Sequence, residues 1–213
     1  RHLLPSFLSP KYTDLKDPYL LPDMEKAVQR IKKAIKESEK ILIYGDYDVD
    51  GVTASTVMEQ ALLMAGVNPK NNTIMLPDRF ADGYGMSPKL IKTAQKEKTN
   101  LVITVDCGSR NHEIVEELNM NQIDTIITDH HETDPEMPDA LAVINPHRKD
   151  QPVETLQNLA GVGVAFKLAQ ALSEQKLIKP GQEKWLLDLV LIGTICDSMT
   201  LVDENRILGF YIS

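Results

Sequence analysis

The chain has 213 residues, 42% hydrophobic and 25% charged, which allows one large or two small globular domains and excludes a disordered chain. Its net charge of −8 argues against a protein that binds nucleic acid or membrane with its whole surface. It does not argue against nucleic acid bound in a local cleft. Two cysteines give no disulfide scaffold, and no apolar run approaches the ~20 residues of a membrane helix. We therefore expect a cytoplasmic protein with no membrane partner.

Residues 1–22 contain four prolines and predict an extended N-terminal arm. Asp23 is then expected to cap a helix that runs to about Ser38, because apolar residues recur on one face of that segment. Beyond it, apolar runs alternate with helical patterns, which predicts an α/β fold with a mostly parallel sheet and helices on both faces. The predicted strands are 41–44, 73–76, 101–105, 125–128 and 140–144. The predicted helices between and after them are 52–65, 88–98, 112–119, 159–173 and 183–195.

Acidic and histidine residues directly follow the first, third and fourth predicted strands. They are Asp46, Asp48 and Asp50, then Asp106, then Asp129, His130 and His131. The turns at the carboxyl ends of parallel strands form the crevice where ligands bind. Carboxylates that converge there repel one another unless cations lie between them, and Asp and His donors suit Mn²⁺ or Mg²⁺ better than Zn²⁺. The pattern therefore predicts a metal site, and two bridged ions are a known arrangement for phosphoryl transfer.

Each of these groups also has a simpler explanation when it is taken alone. An Asp after a strand usually caps a helix or forms a turn, and a histidine pair is often a surface feature. The run 46–50 resembles half of a calcium loop, but position 57, where such a loop has Glu, is Val57. The coincidence of three clusters at strand ends favours the metal site.

These motifs resemble those of the DHH phosphoesterase superfamily, named for the Asp-His-His found here at 129–131. Within it, they are most similar to the RecJ family of 5′→3′ exonucleases specific for single-stranded DNA. The segments that carry the resemblance are 44–51, 77–85, 104–108, 128–132, 143–146, 159–167, 193–197 and 204–206. Two parts of them, 80–85 and 160–163, distinguish the RecJ branch from the branches that act on small molecules.

The resemblance implies a hydrolase, a Mn²⁺- or Mg²⁺-dependent exodeoxyribonuclease that acts on single-stranded DNA in repair and recombination. The alternative is a DHH phosphoesterase for pyrophosphate, a cyclic dinucleotide or a short oligonucleotide, which the acidic net charge mildly favours. A relative without activity would have lost metal ligands, whereas every expected one is present.

The resemblance also implies a role for each residue of the site. Asp48 and Asp106 would bind one Mn²⁺, and Asp50, Asp106, His130 and Asp197 the second, so that Asp106 bridges the two ions. His131 would contact the phosphate, Asp129 would orient the histidine pair, and Asp46 would act in the same motif directly or through water. Without the resemblance, Asp197 would be interpreted as the cap of an apolar helix.

Candidate contacts to single-stranded DNA are Arg79, Arg110, Gly51, Phe80 and Tyr84. The arginines would bind phosphates, Gly51 would let the DNA backbone approach, and the aromatic rings would stack on bases, although such rings more often pack. Arg148 and Lys167 are weaker phosphate candidates. Gly161 and Gly163 either cradle a phosphate or cap the helix that follows.

Residues 23–213 are expected to form a DHH catalytic domain. The DHHA1-type and OB-type domains of the family have no counterpart in this sequence. We therefore interpret the chain as a catalytic fragment, and the sequence does not predict whether the fragment is active alone.

Overall fold

The computed structural model describes residues 8–80, 83 and 85–211. Within them, five parallel strands form one sheet in the order β2-β1-β3-β4-β5. The strands are β1 (Ile41–Gly45), β2 (Asn72–Met75), β3 (Leu101–Val105), β4 (Asp124–Thr128) and β5 (Ala142–Ile144). Both β1 and β3 are buried along their whole length, as expected for parallel strands covered on both faces.

Helices cover both faces of the sheet, which confirms the predicted α/β fold. They are α1 (Met24–Glu37), α2 (Val49–Met64), α3 (Pro88–Glu97), α4 (His112–Met120), α5 (Gly161–Glu174), α6 (Leu187–Cys196) and α7 (Asp203–Phe210). Alternate residues of β1 point to opposite faces: Leu42 packs with α3 and α4, and Ile43 packs with α1, α2 and α5. Among the described helices, none combines the length and the apolar character that crossing a membrane requires.

The strand order places a topological switch point between β1 and β3. From β1 the chain first moves outward to β2 and then returns to the other side of β1 to add β3, β4 and β5. In open parallel sheets, ligands bind at such a point, beyond the carboxyl ends of the strands. The acidic run 46–50 follows β1, and Asp106 follows β3, so both lie at this point.

Several element boundaries differ from the predicted ones. The predicted helix 183–195 is a 3₁₀ helix, Gln182–Leu186, followed by α6. The short helix α7 was not predicted, and β5 begins at Ala142, later than predicted.

Residues 8–22 are more folded than the extended arm that the prolines predicted. They contain two 3₁₀ turns, Tyr12–Asp14 and Pro18–Leu20, and Leu21 is buried in the core. Leu15 packs against the same core. The prolines therefore correctly disfavoured a long helix or strand, but apolar side chains between them attach the segment to the domain. The division of the chain after residue 22 stays a prediction.

Asp23 does not cap α1 as expected. Its backbone φ is 57°, and its side chain accepts no capping hydrogen bond from a backbone N–H in the first turn of α1. The carboxylate instead accepts a hydrogen bond from the N–H of Val143 and pairs with Arg148 at 2.6 Å and with Lys26 at 2.7 Å. Arg148 also donates to the carbonyl of Val143 in β5 and pairs with Asp150. It therefore links the start of α1 to β5 and is not a free phosphate contact.

Candidate metal centre

Three turns at the carboxyl edge of the sheet bring the predicted acidic and histidine residues together. One group consists of Asp46, Asp48 and Asp106, whose candidate ligand atoms all lie within 4.8 Å of one another. A second group consists of Asp50, His130 and Asp197, and a third of Asp106, His130 and His131, by the same criterion. Asp106 and His130 each belong to two groups, so the groups form one continuous cluster.

His130 lies at the centre of the cluster. Its Nε2 is 3.1 Å from Asp106 Oδ1, 3.7 Å from Asp50 Oδ2 and 3.6 Å from Asp197 Oδ2. Neither His130 Nε2 nor Asp106 Oδ1 has a hydrogen-bond partner with suitable geometry among the described residues, although both atoms are buried. Leaving a buried polar atom unpaired costs about 1–3 kcal/mol. Two buried candidate ligand atoms 3.1 Å apart, with the carboxylates of Asp50 and Asp197 beside His130 Nε2, fit a divalent cation.

The carboxylates at the centre are electrostatically strained in the absence of a cation. Burial raises the pKa of Asp106 to about 10, and the charges of neighbouring carboxylates, Asp50 first among them, act in the same direction. Burial also raises the pKa of Asp50 and of Asp46. A cation among them would supply the compensating positive charge that keeps such groups ionised.

Asp50 is held in place by the N-terminus of α5. The N–H groups of Gly161 and Val162 donate to its two oxygens at 2.6 and 2.9 Å. A Cβ at position 161 would collide with the side chain of Asp106, so only glycine fits there. The phosphate cradle considered for Gly161 is therefore wrong, because Asp50 already occupies its N–H.

The turn after β1 explains the glycine at position 51. Asp48 caps α2 by accepting a hydrogen bond from the N–H of Gly51 at 2.9 Å. A Cβ on Gly51 would overlap the backbone of Asp46. Gly51 is buried and its N–H is bound, so the turn itself requires glycine at this position. The approach of a DNA backbone to Gly51 stays a prediction.

Asp129 lies behind the histidine pair and is itself buried. It accepts hydrogen bonds from the N–H groups of Ser109, His130 and His131, and one of its oxygens is 2.8 Å from the ring Nδ1 of His131. Burial alone would raise the pKa of Asp129, but the hydrogen bond to His131 and the imidazole charge hold it at about 2. The same hydrogen bond raises the pKa of His131, whose side chain is 41% exposed. The orienting role of Asp129 stays a prediction that this geometry favours.

A glycine in α6 allows Asp197 to reach the cluster. A Cβ at Gly193 would collide with Thr53 of α2 and would lie 2.9 Å from Asp50 Oδ1. Helix α6 can therefore lie against α2, and Asp197 at its C-terminal end faces His130. The residue pattern alone predicted a helix cap at Asp197, and only the family resemblance implied a ligand. The available signal in the pattern was a glycine inside a mostly apolar helix.

The arginine and aromatic candidates for DNA contact are not among the ligand groups of the cluster. The guanidinium of Arg79 lies 5.4 Å from the centroid of the Tyr47 ring, and Phe80 is 97% exposed. Arg110 is exposed, with its Nε 3.7 Å from Asp134 Oδ1. Tyr84 lies outside the described residues. Lys167 is wrong as a phosphate contact, because it is fully buried and paired with Glu204.

Comparison with known proteins agrees with this arrangement. Residues 40–194 match the DHH family, N-terminal domain. The chain belongs to the DHH family. The RecJ resemblance is also confirmed: the single-stranded-DNA-specific exonuclease RecJ of Bacillus subtilis is 45% identical over 210 residues, which are 95% of this chain and 25% of that protein. RecJ of Escherichia coli is 37% identical over 198 residues, 88% of this chain and 34% of that protein.

The fold of the chain is also similar to solved RecJ structures. A crystal structure of exonuclease RecJ bound to manganese matches this DHH domain with a TM-score of 0.79 and 31% identity, over 90% of this chain and 47% of that one. RecJ from Thermus thermophilus in complex with Mn²⁺ matches with a TM-score of 0.71 and 30% identity, over 90% of this chain and 26% of that one. The chain thus spans about a quarter to a third of the full-length relatives from Bacillus subtilis and Escherichia coli.

Proposed function

We propose that this chain is the catalytic DHH domain of a metal-dependent phosphodiesterase that degrades single-stranded DNA from the 5′ end, in repair and recombination. One observation carries the proposal: the carboxylate and histidine groups of three turns meet at Asp106, at the switch point of the sheet. The preference for single-stranded DNA rests on the RecJ relatives, which bear that specificity in their names.

The proposed ligands divide into two sets that share Asp106. Asp48 and Asp106, with Asp46 directly or through water, would hold one Mn²⁺, and Asp50, Asp106, His130 and Asp197 would hold the second. Mg²⁺ is the alternative ion. When bound, such a pair supplies Lewis-acid charge for in-line displacement at phosphorus. The unpaired buried atoms of Asp106 and His130 support this assignment.

The remaining residues of the proposed site act on the substrate. His131 is partly exposed at the edge of the cluster, and its raised pKa favours the imidazolium, which can donate to a phosphate oxygen. Asp129 would fix the orientation of the His131 ring through the hydrogen bond at Nδ1. Arg79, Arg110 and the exposed ring of Phe80 would guide the strand toward the cluster.

Single-stranded DNA is the proposed partner, and the cytoplasmic location stays a prediction. The alternative substrate is a small phosphate ester, which the acidic net charge favours. The two substrates differ in the number of phosphate groups that the protein contacts. A strand that lies along the protein surface releases counterions at each neutralised phosphate, so its affinity depends strongly on salt concentration.

The decisive experiment uses the chain and the longer protein predicted to contain it, each with Mn²⁺ and with 5′- or 3′-labelled single strands. We expect the longer protein to release mononucleotides from the 5′ end and to leave blunt duplex DNA largely intact. Asp106→Asn should abolish the reaction. Asp188→Asn, which replaces an exposed carboxylate on α6, should not. Rapid hydrolysis of pyrophosphate or a cyclic dinucleotide, with no action on DNA, would establish the small-substrate function instead.

A further inference from the structure

Two buried polar residues at the start of α7, Glu204 and Asn205, have no part in the cluster described above. They belong to the segment 204–206 that the RecJ resemblance includes without a role. Asn205 is 1% exposed, and its Nδ2 donates to the carbonyl oxygens of Asn158 at 2.5 Å and Thr200 at 3.1 Å. Its side chain therefore joins two loops that are distant in sequence, one before α5 and one after α6.

Both loops lead to the metal cluster. The loop before α5 runs from Asn158 to Gly161, whose N–H holds Asp50. The loop after α6 begins at Asp197, and Thr200 follows it in a turn closed by the hydrogen bond from the Met199 N–H to the carbonyl of Thr194. Asp50 and Asp197 are two of the three carboxylates near His130 Nε2, with oxygens at 3.7 and 3.6 Å. Asn205 thus links the supports of both carboxylates.

Glu204 fixes the helix from which Asn205 projects. One carboxylate oxygen accepts a hydrogen bond from the N–H of Lys16 at 2.7 Å, and the other pairs with Lys167 Nζ at 2.5 Å. Lys167 lies on α5, is fully buried and also donates to the carbonyl of Lys16 at 2.8 Å. The start of α7 is therefore tied to α5, the same helix whose N-terminus holds Asp50.

We propose that Asn205 is a positioning residue that sets the distance between Asp50 and Asp197 and thereby the affinity of the ion bound by these carboxylates and His130. This inference rests on the proposed metal centre. A neutral amide suits the position because its two N–H hydrogens can satisfy two carbonyls without burying a charge. Leucine has a similar volume but no donor, and aspartate would bring a buried negative charge toward the same carbonyls.

The test is a calorimetric Mn²⁺ titration of the wild-type chain, Asn205→Leu, Asn205→Asp and Asn205→Ser. Substitution of a residue that supports a metal ligand typically lowers metal affinity about 10–100-fold. We expect Asn205→Leu and Asn205→Asp to weaken one of two binding steps at least about tenfold, within that range, and to leave the other step nearly unchanged. Asn205→Ser retains a single donor, so its Mn²⁺ affinity should fall between that of the wild type and those of the other two variants. This variant keeps the test informative if the larger changes prevent folding.

Two control variants separate positioning from a general loss of stability. Asn71→Leu removes an exposed amide that donates to the carbonyl of Ser38, away from the cluster. Ile31 lies on α1 and is buried in the core, so Ile31→Val removes a methyl group from the core. This variant should have a lower melting temperature and an unchanged Mn²⁺ affinity.

The inference is overturned if the Asn205 variants melt at lower temperature but keep both wild-type affinities. A wild-type chain that binds no Mn²⁺ would overturn the metal centre and this inference together. Wild-type binding of Mn²⁺ that equals binding by Asn205→Leu would overturn this inference alone.

Discussion

His130 and His131 are neighbours in the chain but lie in different surroundings. The ring of His130 is almost fully enclosed, with three carboxylates around Nε2, whereas the side chain of His131 is 41% exposed and is hydrogen-bonded to Asp129. The enclosed ring is suited to a metal, and the exposed ring to a substrate. His131 also belongs to one of the candidate ligand groups, so the two roles require a direct test.

Replacement of each histidine by alanine distinguishes these roles. We expect His130→Ala to weaken one Mn²⁺ step in a calorimetric titration by about 10–100-fold or more, because it removes an enclosed ligand. His131→Ala should keep both Mn²⁺ affinities and lower the turnover of single-stranded DNA by about 10²–10⁴-fold, the usual range for a lost acid–base or charge-stabilising group. Equal losses of metal affinity in both variants would mean that the pair has been divided wrongly.

At the scale of elements, the cluster depends on how closely α5 and α6 approach the turn after β1. Glycines allow each approach, since a Cβ at Gly161 would collide with Asp106 and a Cβ at Gly193 with Thr53. The helices therefore serve as parts of the site: α5 supplies N–H groups to Asp50, and α6 presents Asp197.

Gly161→Ala should damage both stability and metal binding. We expect a loss of about 1–3 kcal/mol in the free energy of unfolding from overpacking, together with weaker Mn²⁺ binding, because Asp106 must move. Gly209→Ala in α7 is the matched control, since its Cβ would meet a methyl group of Leu191 at 3.2 Å. There the better helix propensity of alanine, up to about 1 kcal/mol, should offset the contact. Urea unfolding and a Mn²⁺ titration measure both effects, and wild-type behaviour of Gly161→Ala would contradict the packing described.

The ion pair between Asp23 and Arg148 joins α1 to β5 and predicts a pH dependence. Burial alone would raise the pKa of Asp23, but hydrogen bonds from Lys26 and Arg148 hold it below the ordinary value of 3.8. A lowered carboxyl pKa stabilises the fold above the unfolded-state pKa, and this stability is lost as the pH falls through the folded-state pKa.

Asp23→Asn should therefore destabilise the protein by about 1.5–3 kcal/mol at pH 7, the usual contribution of a hydrogen bond to a charged group. The difference from wild type should shrink as the pH falls below about 4, where Asp23 becomes protonated. Urea unfolding across this pH range measures it, with the exposed Asp188→Asn as the control. A difference that is constant from pH 7 to the acid limit would show that charge is not the cause.

For the whole molecule, the sequence was sufficient to predict the α/β class and the convergence of the three strand-end turns. Alternating apolar runs specify parallel strands, and parallel strands place their carboxyl ends at one edge. Asp197 was recovered only through the family resemblance, because its approach depends on the packing of α6 against α2. The roles of Gly161 and Asn205 were missed for the same reason: contacts between distant segments leave no periodic signal in the sequence.

The weaker substrate candidates failed for a related reason. Arg148 and Lys167 are cations whose partners, Asp23 and Glu204, are far away in sequence, so local pattern could not distinguish an internal ion pair from a phosphate contact. Charge alone predicts neither burial nor pairing.

The most direct test of the central claim is a calorimetric Mn²⁺ titration of the intact chain beside Asp106→Asn, with melting temperatures in Mn²⁺ and in chelator. Asparagine suits this position, because the backbone of Asp106 has a φ of 61°, which asparagine tolerates. We predict two bound ions in the wild type and a clear rise in melting temperature, since a ligand at 100 times its dissociation constant contributes about 2.7 kcal/mol. Asp106→Asn should lose both effects, because both ions are proposed to share that carboxylate. A wild-type chain without Mn²⁺-dependent heat or stabilisation, or an Asp106→Asn variant that binds as the wild type does, would contradict the account.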